Sequence, residues 1–221
     1  MTSVAENATI EEIVVPSGRA LRTRNALLTA GRTLFALRPF DAVAIDDIVT
    51  EAGVAKGTFY NHFNDKDALL AAIFSHIREG VEARIAQVNA GIDDAAMRIV
   101  RALCVYVART VDDPVEGQIL LHNDPRGTAR RSLNDGLRND LAEGLRSGRL
   151  VLPGIEVALI YVIGIAHGLL LSAIRDRDAS VVILTTQQLC MMLLRSFGLP
   201  HQEAELVASQ AADDIIRLRA A

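Results

Sequence analysis

Tryptophan is absent from this 221-residue chain, and three Tyr and six Phe are its only aromatic side chains. Cysteine occurs twice, at Cys104 and Cys190, far apart in sequence and both in apolar surroundings. Two such residues make no disulfide framework. They predict buried free thiols in a reducing compartment, with a redox-sensing pair as the alternative. The six Pro and fifteen Gly fall mostly where helix ends are expected. No run alternates β-branched residues with a period of two, which argues against sheets and predicts an all-α fold. Beyond residue 64 there is no Gly-rich phosphate loop, no Gly-x-Ser-x-Gly elbow and no His-x-x-x-His. The residues therefore show no catalytic signature, no metal site and no call for a cofactor. No apolar leader follows the N-terminal "MTSVAENATIEEIVVPSG", so a secretory signal is not expected and the cytoplasm is the expected location.

Positive charge is also scarce overall, the formal net charge being −4. Taken alone, that argues against a polyanionic partner. Its distribution points the other way. Residues 1–18 carry three acids and no base, residues 19–66 carry seven Lys/Arg against five acids, and the remainder holds sixteen bases and nineteen acids. Only the middle stretch is positive, with three arginines crowded into "RALRTR", which hints at nucleic acid.

Residues 1–17 read as a flexible tail closed off by "PSG". A first helix is expected over 19–37, with Leu27, Ala30, Leu34 and Phe35 on one face and Pro39 as its stop. A second covers "AIDDIVTEA", turning Ile45, Ile48, Val49 and Ala52 inward. Asp46 and Asp47 stand in its first turn, where the macrodipole favours acids, and Gly53 ends it. A short third helix is expected over 55–62 and a fourth over 65–89. Further helical segments follow at about 93–111, 115–123, 128–147, 155–175, 180–196 and 201–219. Five of the six Phe precede residue 75, giving a small head the bulk it needs for a core of its own. The expected organisation is a tail over 1–17, a helix-turn-helix head over 18–64 and a larger helical domain over 65–221, with the fourth helix as the joint.

Within the head, "VAKGTFYNHF" concentrates aromatic and polar side chains in ten residues. Once Phe59 and Phe63 turn inward at i and i+4, the outward face is Lys56, Gly57, Thr58, Tyr60, Asn61 and His62. Lys56 and Lys66 suit phosphates, Thr58 and Tyr60 can donate to phosphate oxygens, and Gly57 permits close backbone approach. Asn61 and His62 can reach base edges or the sugar-phosphate.

The run "AGVAKGTFYNHFNDKDALL" resembles the "AGVSKGTLYxHFxxKxxLL" pattern of the TetR family of transcriptional regulators, within a match of about fifty residues. That resemblance implies an α-helical homodimer, paired heads on a palindromic operator in double-stranded DNA, and a C-terminal domain that binds a small-molecule effector. By the same match, DNA contacts carry over to Lys56, Gly57, Thr58, Tyr60, Asn61, His62 and Lys66. Three positions depart from the pattern. Ala44 stands where a Thr often caps the second helix and meets a phosphate, Val49 replaces a usual Ala, and Asn61 stands where an aromatic or basic residue is frequent.

In the larger part, the candidate effector-binding residues are Met97, Arg101, Tyr106, His122, Tyr161 and His167, since an apolar cavity needs a few polar groups to orient its ligand. His122, Asn123 and Asp124 are consecutive and point in different directions on a helix, which favours a capping or loop role over a metal or acid–base site. "VALIYVIGIAHGLLLSAI" is long enough to span a bilayer. His167 interrupts it and its flanks are of mixed sign, so a core and interface helix is expected instead, with no membrane partner. Gly164 and Gly168, four apart, make a groove for another helix. By position these two helices match the family's dimer bundle, with Met191 and Leu194 at the interface of the second. The reading is a ligand-responsive transcriptional regulator, a repressor rather than an enzyme. The alternatives are an effector-independent DNA-binding factor and an all-α enzyme using His122 or His167.

Overall fold

The computed structural model describes residues 18–122, 134–176 and 178–217. Among them the regular elements are all helical, in agreement with the all-α expectation. In chain order they are α1 (Gly18–Leu37), α2 (Ile45–Glu51), α3 (Lys56–Tyr60), α4 (Lys66–Asn89), α5 (Ala95–Asp112), α6 (Pro114–His122), α7 (Asp135–Arg146), α8 (Ile155–Arg175), α9 (Ala179–Ser196) and α10 (His201–Ala212). A short 3-10 turn, Phe40–Ala42, lies between α1 and α2, and a π-wound turn, Asp213–Arg217, follows α10.

Local chemistry sets several helix starts. Asp65, Asp94 and Asp178 cap α4, α5 and α9 by accepting the backbone N–H of Ala68, Ala96 and Ser180 at 2.7, 3.0 and 2.8 Å. Ala44 has no such oxygen at the start of α2. There the Asp47 carboxylate reaches back to the Ala44 N–H at 3.1 Å, which supplies the reciprocal half of a capping box. The expected third helix is trimmed: α3 keeps Lys56–Tyr60, with Asn61 as its C-cap. The N–H groups of His62 and Phe63 both bond to the Phe59 carbonyl, each at 2.9 Å.

Two helices organise the packing. α5 is the central one, with buried residues on every turn from Ala95 to Thr110. Its Cys104 meets Cys190 of α9, both fully buried and free. The neighbouring Cys104 thiol and burial together push the Cys190 thiol well above the ordinary range, which favours the inert protonated form. α4 is the other: Gly31 of α1 lies so close to it that an added Cβ would stand 2.8 Å from Leu69 and 2.9 Å from Ile73. Further along α4, Ile77 and Val81 are buried, so apolar packing runs without a break from the head into the rest of the molecule.

Candidate nucleic-acid interface and ligand cavity

The turn between α2 and α3 is held by backbone geometry. Gly53 sits at φ +66°, a conformation that costs glycine little. Its N–H bonds to Thr50 O at 3.1 Å, and the Val54 N–H to Val49 O at 3.0 Å, which is the Schellman pattern. Val54 is half-buried behind the turn. Ile48 and Phe59 are fully buried and Phe63 is 5% exposed. The two Phe ring centroids lie 5.9 Å apart, and the Arg24 guanidinium lies 5.3 Å from the Phe63 ring centroid. With these side chains inside, helical geometry leaves Lys56, Gly57, Tyr60 and Asn61 exposed, and Thr58 and His62 half-buried beside them. Tyr60 is 51% exposed, with its ring set edge-on to Phe59 at 5.5 Å.

Two of the candidate DNA contacts are engaged within the chain. Lys56 Nζ lies 2.7 Å from Asp46 Oδ1. The hydrogen bond and charge of Asp46 raise the lysine's pKa further above its ordinary value. Lys66 departs from the expected outward cation. It is half-buried, its ammonium donates to the carbonyls of Phe40 and Val43 at 2.6 and 2.7 Å, and it lies 4.2 Å from the Phe40 ring centroid. Those carbonyls belong to the α1–α2 connection, so Lys66 ties the start of α4 to the head instead of presenting a free charge.

Between α4, α5, α7 and α8 lies a cavity of about 590 Å³, within the range of small-molecule sites. Most of its lining is apolar, Phe74, Ile99, Leu103, Leu159 and Leu170 among it. Its most buried charged group is Arg78, 9% exposed, which donates to the Tyr106 hydroxyl and to Glu82 Oε1 at 2.9 Å, with Asn134 Oδ1 at 3.5 Å. Burial raises the Tyr106 phenol above its ordinary range, so it keeps its proton. Burial also raises the Glu82 carboxyl, with Arg78 pulling the other way. His167 Nδ1 lies 2.8 Å from Ile163 O; a carbonyl only accepts, so Nδ1 carries the hydrogen and Nε2 of the neutral ring is an acceptor.

Of the six effector candidates, Tyr106 and His167 line this cavity, while Met97, Arg101 and Tyr161 do not. Met97 packs half-buried against the core. Arg101 is spent on Val88 O at 2.9 Å and Asp214 Oδ2 at 2.8 Å. Tyr161 sits edge-on to Phe197 at 5.9 Å. His122 ends α6, but its side chain and all of Asn123 and Asp124 lie outside the described residues. Sequence reasoning missed Arg78, Glu82 and Asn134. The available signal was an Arg and a Glu at i and i+4 on the inner side of α4, which reads equally well as a solvated surface pair.

α8 and α9 are each long and apolar enough to cross a bilayer by length and composition. Both have a buried side and an exposed apolar side. Gly164 and Gly168 are exposed, and an added Cβ at either would meet nothing within 4 Å. Val157, Ile160 and Leu171 of α8 and Leu184 and Met192 of α9 are exposed as well. Met191 is half-buried. Leu194 must be corrected: it is fully buried within the protomer, because α9 turns it towards the core, and it is not available to a partner chain. Met192, 57% exposed, occupies the outward position.

Residues 27–73 match the model for bacterial regulatory proteins of the tetR family, and residues 94–210 match the model for a tetracyclin repressor-like C-terminal domain. The chain is 30% identical over 95 residues to the HTH-type transcriptional repressor DhaR of Mycobacterium sp. (strain GP1), covering 43% of this chain and 46% of that protein. It is 34% identical over 86 residues to the HTH-type transcriptional repressor LfrR of Mycolicibacterium smegmatis, covering 38% of this chain and 44% of that protein. The chain thus spans less than half the length of these two curated relatives. Among solved structures, RolR in complex with its ligand resorcinol superposes with a TM-score of 0.68 at 28% identity, over 88% of this chain and 97% of RolR.

Proposed function

Because the chain belongs to the TetR family of bacterial regulatory proteins, we propose that it is a transcriptional repressor that a small molecule releases from DNA. Two protomers pair through the exposed apolar sides of α8 and α9 and place two heads on a palindromic operator, in the cytoplasm and without chemistry of their own. The head is residues 18–64, and the remainder from 65 binds effector and partner. Lys56, Gly57, Thr58, Tyr60, Asn61 and His62 face the duplex, and Lys66 orients them through the carbonyls it holds. DhaR and LfrR are repressors by name, and RolR is a structural relative with a bound small molecule.

One observation carries this reading. Phe59 of α3 and Phe63 just after it are buried, which leaves a polar, exposed helix face within the stretch 19–66, where bases outnumber acids. The cavity supplies the control. Phe74, Arg78, Glu82 and Ile85 of α4 line it, and α4 begins at Lys66, directly after the recognition element. A molecule that fits better when α4 is displaced shifts the heads away from half-sites one turn apart, and only that differential affinity drives release.

The test is DNA affinity as a function of salt. Several phosphate contacts make the logarithm of affinity fall steeply with the logarithm of salt concentration, and Lys56→Ala reduces that slope by about one. A slope near zero in the unmodified protein refutes the reading.

A further inference from the structure

Among the described residues, the charges lining the cavity are paired. Arg78 is matched by Glu82, Arg138 by Glu156, and Asp140 by Arg98 at 2.6 Å from outside the lining. A carboxylate entering this space would therefore surrender its hydration without gaining an uncommitted cation from the described residues, which is unfavourable. The neutral groups are more specific. The Tyr106 oxygen already accepts from Arg78, so its own O–H is left to donate. The Asn134 oxygen faces Arg78, which leaves the amide N–H groups as donors. His167 Nε2 needs a donor, since Nδ1 is spent on Ile163 O. A hydroxyl accepts from the first pair and donates to the third group, whereas an ester or ketone can do only the first.

Size and shape add a second constraint. A cavity of about 150 Å³ already takes up benzene, so about 590 Å³ calls for a larger body than one ring. Phe74 and Tyr106 offer aromatic surfaces to a flat group, while Ile99, Leu103, Leu159 and Leu170 continue the lining as aliphatic wall.

We propose that the cavity takes an uncharged phenol with an apolar extension, its hydroxyls at Tyr106, Asn134 and His167 and its tail against the aliphatic wall, and that it excludes the corresponding carboxylates. This deepens the repressor reading and rests on it.

The probes are resorcinol, 4-hexylresorcinol and 2,4-dihydroxybenzoate, titrated into the full chain by calorimetry at neutral pH. 4-Hexylresorcinol binds at least about tenfold more tightly than resorcinol, because its alkyl carbons leave water, and the benzoate gives no binding heat. His167→Leu weakens 4-hexylresorcinol about tenfold without lowering the melting temperature of the unliganded protein. Benzoate binding to the unmodified chain as tight as that of 4-hexylresorcinol overturns the proposal, and so does the failure of both neutral probes to bind. These comparisons in the unmodified chain decide the matter even if His167→Leu does not fold. DNA binding without any probe is measured in parallel. A chain that binds DNA and ignores both neutral phenols disproves the ligand class alone, whereas loss of salt-dependent DNA binding removes the repressor reading itself.

Discussion

Asp94 joins three parts of the molecule through one carboxylate. It caps α5 through the Ala96 N–H and accepts from Arg149 Nε at 2.9 Å and Nη2 at 2.8 Å. The same guanidinium holds Glu203 of α10 at 2.6 Å. The Arg149 hydrogen bonds lead in holding the Asp94 carboxyl below its usual range; partial burial opposes them, and the backbone N–H groups assist. A carboxyl whose pKa is depressed by folding stabilises the fold above its unfolded pKa of about 3.9, and that contribution vanishes as pH falls through the folded value. Asp94→Asn keeps a capping oxygen and loses the charge. Its melting temperature should therefore fall below that of the unmodified protein at pH 7, with the gap closing in acid. An equal deficit at pH 7 and at strongly acid pH contradicts this assignment. The residue scale also shows where sequence reading stops. The inward Phe59–Phe63 pair is legible from i, i+4 spacing alone. Lys66 is not, because its acceptors are carbonyls 26 and 23 residues earlier in the chain.

At the scale of elements, α8 and α9 are apolar on nearly every side, and their composition says only that something covers them. Packing separates the sides. Ala158, Leu159, Val162, Leu169 and Leu170 are buried in the protomer, and the side carrying Gly164 and Gly168 is bare. Since an added Cβ at Gly168 touches nothing inside the chain, Gly168→Leu should leave the protomer folded. It should also block the close helix approach of a second copy and yield monomers by sedimentation that no longer bind operator DNA. Dimers of undiminished stability in that variant count against the α8–α9 interface. Helix extents were legible to within a few residues for most elements, because Pro, Gly and Asp mark their ends. The exceptions lie where the backbone winds differently for tertiary reasons. The last expected helix, 201–219, gives way after Ala212 to a π-wound turn whose Asp214 receives Arg101 of α5.

Across the whole molecule, the head is linked to the body by packing of α1 on α4 and α6 and, among the described residues, by a polar cluster. Arg32 of α1 pairs with Asp113 and lies 3.5 Å from Glu116 of α6, which is itself held by Arg109 of α5. α6 also carries Leu120, part of the cavity lining, so a single short helix touches both the ligand space and the first helix of the head. Exposed ion pairs are worth little, of the order of 1 kcal/mol or less; Glu116 is mostly buried, which places this cluster towards the upper end. Arg32→Ala should accordingly speed amide hydrogen exchange in α1 to α3 by roughly two- to fivefold, with α8 to α10 unaffected. Unchanged exchange in the head would mean that the cluster is ornamental and that packing on α4 and α6 holds the head in place.

The sequence by itself determined the all-α class, the order and most limits of the helices, and which side of α3 is polar, because these follow from periodicity, turn residues and the pattern of the head over a few neighbouring positions. Only the tertiary structure decided what meets what across long separations: Arg78 with Tyr106 and Asn134 in the cavity, Cys104 with Cys190 in the core, Lys66 turned back on the head, and Leu194 rather than Met192 inside. The physical reason is that local spacing sets the face on which a side chain lies, whereas its partner depends on how helices distant in sequence pack together.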